Sequence, residues 1–195
     1  MLLAVPKLVD VVQQYPDSEE PQQTAFSMAF GDTFFDCKEK NSEHMDFGDL
    51  SKLKESNYLI RQHGLSERIT FSPHDFFSTQ PERGAKVYLF HNIFHNWSDL
   101  YCHRILKPMV DSMDADSRIV VCDIVLPEPG AVPKTQEVQA RALDLTMLSM
   151  FNARERCYKE WQELFSGADK RLELTRIFGR PRMRMDSLIE VRLAM

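Results

Sequence analysis

Four short polar clusters carry the residue types that could do chemistry. His91 and His95 lie in HNIFHNWSD, Asp123 closes RIVVCD, Asp75 lies in PHDFF, and Glu155 lies in NARERCYKEW. An imidazole near two carboxylates is a general-base set. Its unperturbed pKa of about 6.5 is close to working pH. A carboxylate on the far ring nitrogen would fix the tautomer and stabilise the imidazolium. Each residue also has a structural reading. His95 precedes a Trp97-Ser98-Asp99 helix start, where it could cap or pack. Asp123 could cap the following segment, and Glu155 could be a solvated charge at a helix start. His91 and His95 have the spacing that on a helix would face a metal. The run before them reads as strand and no Glu follows the first His, so no metal site is expected. Met147 and Met150 lie three apart on a helix, which suits a core or a wall for a flat apolar substrate.

These residues need a frame that brings strand ends together. KVYLFHNIF holds a continuous apolar run, as in a strand buried on both faces, and SRIVVCDIVLP is a second such strand ended by Pro127. RITFSP, from Arg68, reads as a short strand before them. Residues 98–113 form a helix, with Ser98 as its cap and Asp99 in its first turn. Residues 134–150 and 158–165 read as further helices, the second stopped by Gly167. LELTRIF and SLIEVRL read as a closing antiparallel hairpin through a Gly-Arg-Pro turn. Upstream, residues 1–14 read as a helical or extended arm, residues 24–40 as a helix broken near Gly31, and residues 41–62 as helical, with Gly64 as a stop. Strands alternating with helices imply an α/β layered sheet, with ligands at the carboxyl ends of its strands. The division expected is a helical arm with linker helices at 1–55 and an α/β domain at 56–195.

Composition excludes several classes. The 195 residues carry 24 Lys and Arg against 29 Asp and Glu, a formal net charge of -5, with 43% hydrophobic residues. That is ordinary for a folded domain, and its mild acidity disfavours nucleic acid or an anionic membrane as partner. The Arg-rich end (Arg176, Arg180, Arg182, Arg184) reads as a solvated hairpin. Cys37, Cys102, Cys122 and Cys157 form no C-x-x-C pair, which suits a reducing compartment. The apolar start is too short for a membrane span and lacks a signal-peptide pattern, so a soluble cytoplasmic protein is expected. The seven glycines are well separated, the nearest pair being Gly167 and Gly179. A G-x-G nucleotide loop and a Walker loop are therefore absent.

The block HNIFHNWSDLYCHRILKPMVDSMDADSRIVVCDIVLP resembles the plant and fungal small-molecule O-methyltransferases that use S-adenosylmethionine (SAM), the caffeate O-methyltransferase type. That family carries a His-Asp-Trp-Ser-Asp block, a helix, and a strand closing in an acid shortly before Leu-Pro. Asn96 stands where the family usually has the first Asp. RITFSPHDFF is similar to the family's preceding strand, and TAFSMAFGDTFFDCKEKNSEHMDF to the helices before its donor domain. The resemblance implies His95 as general base, Asp123 and Glu155 as the acids that orient it, and Asp75 and Phe76 as adenine contacts. It places His91 near the cofactor, and Met147, Met150 and Trp97 along the substrate. It implies SAM as cofactor and a phenolic or polyketide hydroxyl of secondary metabolism as substrate.

Two departures accompany these matches. Members of the family are about twice this length and begin with a helical dimerisation domain, most of which has no counterpart here. They also insert a strand, glycine-rich loop, helix and strand before the segment at Arg68. Here Asp49-Leu50-Ser51-Lys52 runs almost directly into SNYLIRQHGLSERITF. The fold expected is a partial Rossmann-like methyltransferase sheet without its first two strands. A partial sheet exposes an apolar strand edge, so a homo-oligomer or a complex with a full-length relative is expected. Three roles stay open: methyl transfer, a cofactor-independent cyclisation, isomerisation or dehydration in the same pocket, and a non-catalytic subunit.

Overall fold

The structure is a computed structural model that describes residues 7–31, 33, 58–179 and 186–194. Two short helices, α1 (Leu8–Gln14) and α2 (Ala25–Phe30), come first. Thr24 caps α2 by accepting the Ser27 N–H at 2.9 Å, and Gly31 ends it at φ 80°, a left-handed conformation suited to glycine. Residues 34–57, which hold the end of the helix expected at 24–40 and most of that expected at 41–62, lie outside the described residues. Residues 58–62 are helical, and Gly64 follows at φ 67°.

The rest is a mixed sheet with helices. Its elements are β1 (Val87–His91), a 3-10 turn (Phe94–Asn96), α3 (Asp99–Val110), β2 (Arg118–Leu126) and α4 (Lys134–Phe151). β3 (Arg156–Cys157), α5 (Tyr158–Ala168), β4 (Leu172–Gly179) and β5 (Asp186–Leu193) complete it. The strand order is β1-β2-β5-β4, with β3 pairing the end of β2. β1 runs parallel to β2 with His91 opposite Cys122, whereas β5 runs antiparallel to both β2 and β4. The closing hairpin expected from the sequence is present, although its turn at 180–185 is outside the described residues.

β2 is central because its run of Ile119, Val120, Val121, Ile124 and Val125 suits a pleated, buried surface. One face of the sheet carries the core. Tyr88, Phe90, Ile119, Val121, Ile189 and Val191 alternate onto that face. α3 presents Cys102, Ile105, Leu106, Met109 and Val110 at helical spacing, and α5 presents Trp161, Leu164 and Phe165 against them. Burying each Leu or Phe of that layer contributes about 1.5–3 kcal/mol.

Four sequence expectations need correction. β1 is not buried on both faces: Val87 is 50% exposed and Leu89 65%. RITFSP forms no strand; residues 68–73 lie exposed without a partner strand among the described residues, with Ile69 and Phe71 outward. Both corrections have one cause, since among the described residues β1 is the edge of the sheet and nothing covers its second face. Ser98 does not cap α3 with its side chain. Its Oγ donates to the Glu19 carbonyl at 3.1 Å, and the Glu19 carboxylate instead accepts the Leu100 N–H at 2.7 Å. Gly167 does not stop α5, which continues to Ala168. A Cβ there would lie 3.2 Å from the His103 ring, so the glycine admits that ring. No helix among the described residues is long and apolar enough to cross a membrane.

Candidate active site

The site forms where β1 and β2 end. After His91 the chain must leave the sheet at once. Asn92 makes the turn at φ 55°, a conformation Asn tolerates better than most residues. Its N–H donates to the Cys122 carbonyl at 3.1 Å, and the Asn96 side-chain amide donates to the Asn92 carbonyl at 3.1 Å. The loop therefore closes on itself and presents His95 from the 3-10 turn.

His95 Nδ1 lies 3.0 Å from Glu155 Oε1, with the imidazole mostly buried and the carboxylate fully so. Facing a carboxylate, Nδ1 carries the proton and the basic lone pair sits on Nε2. Glu155 is held in turn by its N–H, which donates to Asp144 Oδ1 of α4 at 2.9 Å. Asp123, within β2 and one residue past the Cys122 that pairs with the end of β1, accepts the Phe94 N–H on Oδ2 at 3.1 Å. Burial pushes its carboxyl up to about 7, and the nearby Glu155 charge adds to that, against the pull of His95, the Phe94 N–H and Arg156. Asp123 Oδ1 and Glu155 Oε2 are buried without a hydrogen-bond partner.

The structure thus brings three sequence-expected residues, His95, Asp123 and Glu155, into one corner. Trp97 flanks it, and its ring meets Phe76 edge-on at 5.9 Å and Phe77 at 5.1 Å. Met147 is buried beside Phe151 and Ala153, and Met150 also packs against the α1–α2 cluster. α4 reaches the 3-10 turn, which puts this helix beside the corner. His91 lies exposed at the end of β1. Asp75 is exposed and spends Oδ1 on the Phe77 N–H at 3.0 Å. Among the described residues no group of three or more His, Cys, Asp or Glu could hold a metal ion. The Cys102 thiol, pushed up to about 12 by burial, is no nucleophile. An open cleft beside the end of β2 is lined by Ile124, Val125, Pro127, Val132, Gln136 and Ala140; the acid–base residues do not line it.

Sequence reasoning missed Arg156 and understated Asp99. Arg156 is wholly buried and donates to the Phe94 and Trp97 carbonyls and to Asp99. Burial works against ionisation of Asp99, but Arg156 and Arg154 outweigh it and hold the carboxyl below its usual value. The signal available was Arg154-Glu155-Arg156, a glutamate between two cations.

SAM, the cofactor the resemblance implies, needs a backbone cradle for its polar end. The described residues do not fit it. No two glycines of the sequence lie close enough to form that loop, Asp75 Oδ1 is committed to its own turn, and the outer face of β1 is apolar and exposed.

Comparison with known proteins gives the lineage. The O-methyltransferase domain matches residues 45–170. The O-methyltransferase aoiF of Aspergillus oryzae is 41% identical over 138 residues, covering 71% of this chain and 32% of that protein. The O-methyltransferase PaMT of Phomopsis amygdali is 29% identical over 247 residues, 95% of this chain and 57% of its own. That alignment exceeds the 195 residues of this chain, so PaMT carries positions with no counterpart here. The chain therefore spans a minor part of aoiF and little more than half of PaMT. Among solved structures, LepI in complex with SAM shares the fold at a TM-score of 0.73 and 20% identity, over 98% of this chain and 64% of that one. The matched domain takes up most of the sequence and ends beyond the acid–base corner, and on that ground the chain belongs to the SAM-dependent O-methyltransferase family.

Proposed function

We propose that this chain is the proton-abstracting part of an O-methyltransferase of fungal secondary metabolism, with His95 as general base on a phenolic or polyketide hydroxyl. The observation that carries this reading is the 3.0 Å contact of His95 Nδ1 with a fully buried Glu155. Glu155 accepts the Nδ1–H and turns Nε2 toward the hydroxyl. The hydroxyl proton passes to Nε2, and the imidazolium formed is balanced by Glu155 and, above about pH 7, by ionised Asp123. General-base help of this kind contributes about 10²–10⁴-fold. Trp97, Met147 and Met150 supply flat and polarisable apolar surface that suits an aromatic ring. In the family SAM supplies the methyl group; no step through it is assigned to this chain, whose residues do not fit it.

A complete base corner without a donor cradle also favours a second reading, a cofactor-independent cyclisation, isomerisation or dehydration begun by the same proton transfer. Turnover of a hydroxylated substrate without added donor distinguishes the two. The open face of β1 favours self-association of the chain, which sedimentation over a wide concentration range tests.

The test of the base uses 4-nitrophenol at a pH where it is mostly protonated in water. Binding at the His95 corner should raise the phenolate absorbance, and His95→Ala should abolish the rise. Equal phenolate yield with His95→Ala rejects the assignment.

A further inference from the structure

Arg156 follows Glu155 in the chain but takes no part in the proton transfer. A guanidinium cannot discard its charge, so complete burial is costly unless every donor is used well. Two of its bonds go to the segment that carries His95, and the others go to Asp99 and Cys102 of α3. Nη1 donates to the Phe94 carbonyl at 3.0 Å, and Nη2 donates to the Trp97 carbonyl at 2.9 Å. These carbonyls stand one residue before His95 and two residues after it. Nε and Nη2 also donate to Asp99 Oδ1, at 2.9 and 2.6 Å, which ties the same guanidinium to the first turn of α3. Cζ lies 5.4 Å from the Trp161 ring centroid, so an aromatic face backs the group.

The turn is thereby held at both ends and on both polar sides. Phe94 gives its N–H to Asp123 and its carbonyl to Arg156. Glu155 grips the imidazole while its neighbour grips the backbone beneath it. Register fixes this division, because Arg156 is paired with Val125 of β2 and cannot slide along the strand. Arg154 is a comparison built into the same segment. It pairs with Asp99 and, at 3.2 Å, with Glu160, and its half-exposed side chain has no bond to the turn.

We propose that Arg156 is a positioning residue that sets the orientation of the His95 imidazole by clamping the 3-10 turn through the Phe94 and Trp97 carbonyls. Its bearing on catalysis rests on the reading of His95 as base; the clamp itself does not. A lysine keeps the charge, but a single ammonium cannot hold both carbonyls and Asp99 in one plane.

The test is proton NMR of the full chain in the downfield region, where an imidazole N–H bonded to a carboxylate resonates. The His95 signal is assigned by its loss in Glu155→Gln. In folded Arg156→Lys we expect that signal to broaden or disappear and the phenolate yield to fall about tenfold or more, while Arg154→Lys leaves both unchanged. An unshifted signal in folded Arg156→Lys overturns the proposal. Where Arg156→Lys does not fold, Asp99→Asn, which releases the guanidinium from its carboxylate, is read by the same criteria. Collapse of both variants would make Arg156 a determinant of the whole fold and also overturn it. If instead His95→Ala leaves phenolate formation intact while Arg156→Lys moves the signal, the base assignment fails and the clamp stands.

Discussion

Asp123 is buried among charged groups at the end of β1. Its carboxyl titrates near 7 in the folded chain against an ordinary 3.8, because burial disfavours the charge more than His95 favours it. The folded state therefore keeps a proton that the unfolded state has already lost. Stability from this group is full below the ordinary value, falls as pH rises through the window, and is level above about 7. At about 1.4 kcal/mol per unit, the loss amounts to about 4 kcal/mol. We expect Asp123→Asn to be more stable relative to the parent at pH 8 than at pH 5, measured by urea denaturation; parallel pH profiles would contradict this. Asn96 gives a second expectation at this scale. Its amide donates to the Asn92 carbonyl, which an ionised carboxylate cannot do. Asn96→Asp, although it restores the family's letter, should cost about 1–2 kcal/mol in thermal or urea unfolding. His95, Asp123 and Glu155 were legible in the sequence because chemistry restricts residue type. Arg156 was not, because its role depends on which carbonyls the fold brings beneath it.

At the scale of elements, β1 shows where local pattern and fold disagree. VYLF has no polar letter, so the sequence reads as a strand covered on two sides, whereas only Tyr88 and Phe90 face the core. The sequence still has the composition of an interior strand, although the structure makes it an edge. Two substitutions on adjacent residues test this. Phe90→Ala should cost about 3–5 kcal/mol through the cavity it leaves, and Leu89→Thr should stay within about 0.5 kcal/mol. Equal costs in denaturant unfolding would mean that both faces are covered. The end of α4 offers an independent case. Asn152 adopts φ 55° and donates its amide to the Ser18 and Glu20 carbonyls at 2.7 and 3.2 Å, fastening the segment after α1 to the helix. Asn152→Gly keeps the left-handed cap without those bonds. Amide exchange should then quicken in α1 and α2 by about tenfold, in proportion to the roughly 1–1.5 kcal/mol lost, and stay unchanged in α4. None of this tether was visible in the polar segment PDSEEP, since its partners lie more than a hundred residues away.

For the whole molecule, the order β1-β2-β5-β4 explains both what the chain retains and what it lacks. The sheet's covered face, with α3 and α5 behind it, needs only the strands present here, and it positions Phe94, Asp123 and Arg156 around His95. That half was readable in advance because helix and strand periods and the Pro127 stop are local signals. The opposite face of β1 was read less well, because an apolar run gives no local sign of whether a strand is interior or at the edge. A relative whose alignment outruns the chain itself carries residues for which this sequence has none. A donor cradle is built from backbone N–H groups at a glycine turn, and side chains elsewhere cannot replace it because a Cβ would hold the ligand away. The seven separated glycines offer no such turn. Isothermal titration of the purified chain with SAM should therefore give no saturable heat, and His95→Ala should titrate identically, since the role proposed for the imidazole is on the substrate hydroxyl and not on the donor. Saturable binding at micromolar concentration would mean that the open face of β1 seats the donor through contacts other than a glycine turn, and the separation of base from donor proposed for this chain would fail.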